Sequence, residues 1–139
     1  MTAIFRTTLA VSFALLLASC GMKEAMDKAD TEIAEFHGHF DREEYDAIWK
    51  TTSGEFRKAT SKQDFERLLV AIHTKLGTVK ESSQQGWQAN TNNGVSTVVI
   101  GMKSTFERGE GAETFTYIRD GEDLKLLGYN INSAALIYN

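Results

Sequence analysis

From Met26 onward, apolar side chains recur at Met26, Ala29, Ile33, Phe36 and Phe40, in alternating steps of three and four that align them on one face of a helix. Gly38 interrupts that pattern. Asp41 to Glu44 then reads as a capping box opening a second helix, with Tyr45, Ile48 and Trp49 on its buried side. A turn at Ser53-Gly54 leads into a short helix around Phe56. The strongest helical signal follows it: Ser61 with Asp64 supplies a cap, Phe65, Leu68, Leu69, Ile72 and Leu76 form an apolar stripe, and Gly77 is the expected stop. Beyond Gly77 the period drops to two. Segments 78–91, 94–109, 112–121 and 123–132 alternate or are rich in β-branched and aromatic residues, and turn signals at Asn93-Gly94, Gly109-Glu110-Gly111 and Asp120-Gly121 separate them. Helices followed by hairpin-linked strands predict an α+β fold, with N-terminal helices packed on a curved four-stranded antiparallel meander. Its expected inward positions are Val98, Ile100, Met102 and Phe106 on the second strand and Leu127, Tyr129 and Ile131 on the fourth.

The pattern ahead of Met26 is of another kind. Met1 to Thr8 carries the terminal amine and Arg6, Leu9 to Ala18 is apolar, and small residues lead to Cys20, the three-part layout of an export signal. Lys23, Glu24 and Asp27 end the apolar run before it reaches the roughly twenty residues that spanning a bilayer needs. Leu17-Ala18-Ser19-Cys20 resembles the lipobox of bacterial lipoproteins, and the resemblance implies cleavage between Ser19 and Cys20 and lipid attachment to the Cys20 thiol. More than one acyl chain makes such anchoring stable. The expected organisation is a signal peptide at 1–19, a lipidated N-terminus and short tether at 20–25, and a single domain at 26–139. Gly21 stands where an Asp would signal inner-membrane retention, so the expected location is the outer membrane, facing the periplasm.

The remaining residues, about 120, suffice for one core without disulfides, which a single cysteine cannot supply. The net charge of −4 and the lack of any basic stripe exclude nucleic acid as an expected partner.

The order of helices and strands is similar to the cystatin-like, nuclear-transport-factor-two-like cone. Residues 40–77 and 104–131, with Tyr45, Trp49, Phe56, the Ser-Lys-Gln-Asp-Phe run at 61–65, Leu76-Gly77, Phe106, Glu113 and Gly128-Tyr129 as landmarks, further resemble a family of small exported bacterial proteins known only as a domain of unknown function. These are mostly core and turn positions. They carry over a fold and no catalytic set.

Candidate chemistry is sparse. His37 and His39 are too close in sequence to share a helix face, and His73 lies on another helix, so no metal or other cofactor is expected. Ser-His-Asp order, a free nucleophilic thiol and a phosphate-cradling glycine loop are missing from the sequence. Cones of this type often hold an interior pocket, for which Tyr45, Asp46, Trp49, Tyr117 and Tyr129 are imaginable polar groups by fold analogy alone. Trp87, set among Gln84, Gln85, Gln88 and Asn90, is either a core plug or a contact residue for a small molecule, glycan or protein. The expected function is therefore a non-enzymatic binding or envelope-assembly module held to the membrane through Cys20. The alternative is a small-molecule carrier or enzyme using the interior of the cone, with Trp87, Tyr45, Tyr117 and Tyr129 as contact residues. A homodimer through the sheet is a further expectation.

Overall fold

The computed structural model describes the backbone of residues 4–138 and the side chains of residues 21–138; Ser19, Cys20 and the signal segment before them lie outside the described side chains. Its elements run α1 (Ile4–Asp41), α2 (Tyr45–Lys50), α3 (Gly54–Ala59), α4 (Lys62–Leu76), β1 (Val79–Asn92), β2 (Val95–Phe106), β3 (Gly109–Asp120), β4 (Asp123–Asn132) and α5 (Ala134–Tyr138). The strands form one antiparallel sheet in the order β1-β2-β3-β4. This is the α+β meander that the sequence predicts. One core joins the layers, with Ala29, Ile33, Phe36 and Phe40 of α1 and Phe65, Leu69, Ile72 and Leu76 of α4 closing on Val98, Ile100, Phe115, Tyr117, Leu124 and Leu126 of the sheet. Among the described residues no helix is long and apolar enough to cross a membrane.

The first helix does not begin at Met26 or break at Gly38; it continues through both, and the backbone of residues 20–25 is helical. A Schellman-type end stops it. Glu43 adopts the left-handed conformation (φ 58°), its N–H donates to Phe40 O, and the Glu44 N–H donates to His39 O. The capping box at Asp41 to Glu44 does not form. Glu44 flanks α2 without a side-chain cap, and Asp41 instead accepts from the Val79 N–H at 2.8 Å, fastening the start of β1 to the end of α1. The cap on α4 is as expected: Ser61 Oγ accepts from Asp64 N at 3.1 Å, and Gly77 ends the helix at φ 78°. Arg108, from the β2–β3 turn, donates to the His73, Thr74 and Lys75 carbonyls and satisfies the other end of α4.

Three inward or turn assignments are corrected. Leu68 is exposed on α4, because the buried stripe is narrower than the apolar pattern. Leu127 is the extra residue of a β-bulge, since Thr116 pairs with Gly128 but Tyr117 pairs with Leu126. The bulge reverses the alternation, so Leu124 and Leu126 face inward on one side of it and Tyr129 and Ile131 on the other. Gly109 and Gly111 belong to β3 rather than to a turn. A side chain at Gly109 would meet the Ala135 side chain of α5 at 2.6 Å, so its lack of a Cβ is what lets α5 lie down there.

The two sheet edges differ. Leu126 on β4 exchanges backbone hydrogen bonds with the link between α2 and α3, donating to Thr51 O at 2.9 Å and accepting from Ser53 N at 2.8 Å. β1 is the opposite edge. Beyond its first residue it is exposed throughout.

Candidate functional site

β3 presents Gly111, Glu113, Phe115 and Tyr117 to the helices, and in that row Glu113 is an acid, 2% exposed. Three side chains converge on its carboxylate. Ser104 Oγ of β2 donates to Oε2 at 2.5 Å, Tyr129 Oη of β4 donates to Oε1 at 2.8 Å, and His37 Nε2 of α1 lies 2.8 Å from Oε2. Ser82 Oγ of β1 extends the chain to Ser104 at 2.8 Å. All four strands and the long helix thus meet at one polar knot in an aromatic shell, where Phe36 and Phe115 pack edge-on to the His37 imidazole. A buried carboxylate is costly unless hydrogen bonds replace its lost water, and three of them do so here.

The knot opens on one side. A groove of about 330 Å³ runs between α1 and β1, lined by Ile33, Ala34 and His37 on the helix and Ser82, Gln84 and Met102 on the sheet, with Asp30 at its rim. His37 is its deepest polar residue. Glu113 occupies Nε2, and among the described residues nothing is hydrogen-bonded to the other ring nitrogen. Chemically, that is an imidazole fixed in orientation by a carboxylate with one nitrogen left for a ligand, able to accept or pass a proton.

The residues singled out from the sequence scatter around this centre. Tyr129 belongs to it. Burial, the Glu113 charge and the hydrogen bond to that carboxylate together push its phenol well above the ordinary tyrosine range, so it serves as a neutral donor. Tyr117 is a core residue stacked beside Phe115, its phenol also pushed up, by burial first and then by Glu32 and Glu113. Tyr45 is on α2, packed against the core, its hydroxyl buried without a hydrogen-bond partner among the described residues and its phenol raised by burial and by Glu43. Asp46 is on the exposed face of α2, held to about 2 by Lys50 and Lys62, and so is no interior acid. Trp49 packs on Phe56 and Phe65 under the Arg57 guanidinium. His37 and His39 diverge: His39 turns to Glu44 at 2.6 Å.

Trp87 is not a core plug. It pairs with Ile100, which is fully buried, yet keeps 46% of its own surface exposed because α1 leaves β1 uncovered. Register divides its polar neighbours. Gln84 shares the helix-facing side with Trp87, Gln88 and Asn90 lie on the outer face opposite Val99 and Thr97, and Gln85 is a bulge residue. His37, Ser104 and Glu113 are the site residues that spacing alone does not assemble. The available signal is an acid in the inward row of a strand whose other members are glycine and aromatics.

Comparison with known proteins bears on the family and the fold. Residues 34–129 match the family model described as "Protein of unknown function (DUF4019)". The chain belongs to that family. The DUF4019 match takes in α1 from its buried half, the whole of β1 to β3 and β4 as far as Tyr129, so His37, Ser104, Glu113 and Tyr129 all fall inside it. No protein of curated function matches the chain. Among solved structures, a protein provisionally described as a scytalone dehydratase from Novosphingobium aromaticivorans DSM 12444 aligns at 11% identity and a TM-score of 0.47, covering 78% of this chain and 83% of that one.

Proposed function

We propose that this DUF4019 protein is a membrane-anchored ligand-binding module, held by lipid on Cys20 at the outer membrane and binding its ligand in the groove between α1 and β1. The observation that carries the ligand half is the open groove ending on His37, one of whose ring nitrogens is committed to Glu113 while the other has no hydrogen-bond partner among the described residues. The hydrogen-bonded His37–Glu113 pair is not closed over by apolar side chains: it has a polar route to solvent past Gln84 and Ser82. The sequence pattern at Leu17 to Cys20 supports the anchor.

The two halves are tested separately. Incorporation of an alkyne-tagged palmitate into the full-length protein, abolished by Cys20→Ser, supports the anchor; an unlabelled protein overturns it. A native mass spectrum of residues 21–139, purified gently from the periplasm, should carry extra mass that is lost on denaturation and is absent from an Ala34→Trp variant that fills the groove. A clean apo spectrum together with capture of a specific envelope protein would favour the assembly role instead. The second reading, an enzyme, rests on the Glu113-oriented imidazole of His37. It requires turnover that falls in His37→Gln while the fold is retained.

A further inference from the structure

Beyond Gln84, where the groove lining stops, the helix-facing side of β1 stays open to solvent. Along the helix-facing side of β1 the row continues through Ser82, Gln84, Trp87, Ala89 and Thr91, each opposite a β2 residue on the same face: Ser104, Met102, Ile100, Val98 and Ser96. At about 3.3 Å per residue this strip is somewhat under 30 Å long. Its chemistry is unlike that of the rest of the molecule. A chain with 15 basic and 19 acidic residues has no charged side chain anywhere from Ser82 to Met102, the span that forms nearly all of the β1–β2 hairpin. On this strip one indole stands open among hydroxyls and an amide, with His37 at its inner end.

We propose that the strip binds a neutral oligosaccharide chain, with Trp87 as the stacking platform. The inference rests on the groove as the ligand site and names its ligand class. An exposed indole on a polar strand offers a flat apolar face with water-compatible surroundings, which suits the C–H face of a sugar ring. Hydroxyls and the Gln84 amide both donate and accept, as adjacent sugar hydroxyls require of a partner. On the sheet side a charged ligand would find no counter-charge from Ser82 to Met102, and Asp30 on α1, the one carboxylate lining the groove, would repel an anion. An acyl chain would cover the Gln84 amide without offering it a partner, whereas Ser82 and Thr91 already bond across to Ser104 and Ser96 and keep hydroxyl capacity for a polar ligand. The length of the strip selects a chain of several units over a single sugar, and its open end beyond Trp87 lets such a chain run on past the protein.

The test uses residues 20–139 carrying Trp49→Phe, so that Trp87 is the sole tryptophan; the core that joins α1 and α4 to the sheet, from Ala29 to Leu126, lies within that span. Chitohexaose, cellohexaose and maltohexaose are the probes, titrated to millimolar concentration. A saturable change in Trp87 emission with at least one of them is expected, together with amide NMR shifts confined to residues 82–91 and the facing part of α1. In a second variant that retains Trp49, Trp87→Ala should weaken binding about tenfold or more, read by the same NMR shifts. No response to any of the three overturns the proposal. So does binding of an extended peptide along the outer edge of β1 in their place. A ligand mass found by native spectrometry that is not a glycan would overturn this inference while leaving the groove itself standing as the ligand site.

Discussion

Glu113 ties the four strands to the long helix, so its removal is felt beyond its own contacts. Glu113→Ala leaves His37, Ser104 and Tyr129 facing an apolar gap and is expected to cost about 3 kcal/mol in urea unfolding, because three buried polar groups lose their common partner. Tyr129→Phe removes one donor and should cost about 1 kcal/mol. If both changes proved neutral, the knot would be ornament on an apolar core. The phenols of Tyr129 and Tyr117 are raised in the folded state, so their contribution is fully present below the ordinary tyrosine value of 10. As pH climbs above 10 the unfolded chain ionises first, and stability is lost towards the folded values. A melting-temperature profile should therefore fall above pH 10, less steeply in Tyr129→Phe. Glu113 was legible as an inward position by alternation. Its partners were not, because His37 comes from an element 76 residues away and no spacing rule links the two.

Among the elements, α4 was the most legible, since its cap and stop are local chemistry. Ser61→Ala should cost about 1 kcal/mol, measured by thermal unfolding. β4 was the least legible. One inserted residue reverses which side chains point inward, and nothing around Leu127 except the following Gly128 marks it. Burial predicts a contrast between two leucines: Leu126→Ala, beside the bulge and fully buried, should cost about 2–5 kcal/mol, whereas Leu68→Ala on the exposed side of α4 should stay within about 0.5 kcal/mol. The end of α1 misled for a related reason. Asp41 has the right residue type for a cap, but tertiary structure recruits it to the Val79 amide, and the left-handed turn at Glu43 is made by a residue without glycine's freedom.

For the molecule as a whole, the order of helices before strands and the single core were written in the change of period at Gly77, while the groove was not. It exists because α1 leans away from β1, a relation between distant elements. Acid sensitivity is also a property of the assembled surface. Glu44 is held to about 2 by Arg42 and His39, and Asp46 to about 2 by Lys50 and Lys62, so their contributions are present above the unfolded carboxylate values and lost as pH falls towards 2. These groups are exposed, so added salt should flatten the acid limb of the stability profile.

The bare edge of β1 carries a last consequence when set beside the direction of α1. Two copies joined edge to edge by antiparallel β1 strands would be related by a two-fold axis perpendicular to the joint sheet. α1 runs from the Glu122 end of the sheet, where Lys28 Nζ donates to the Glu122 carbonyl, to the Val79 end, where Asp41 is fastened. That rotation would point the two α1 N-termini in opposite directions. If lipid on Cys20 roots both copies in one leaflet, as proposed, that geometry would bar them from zipping into a continuous eight-stranded sheet, a safeguard that the bare β1 edge does not itself provide.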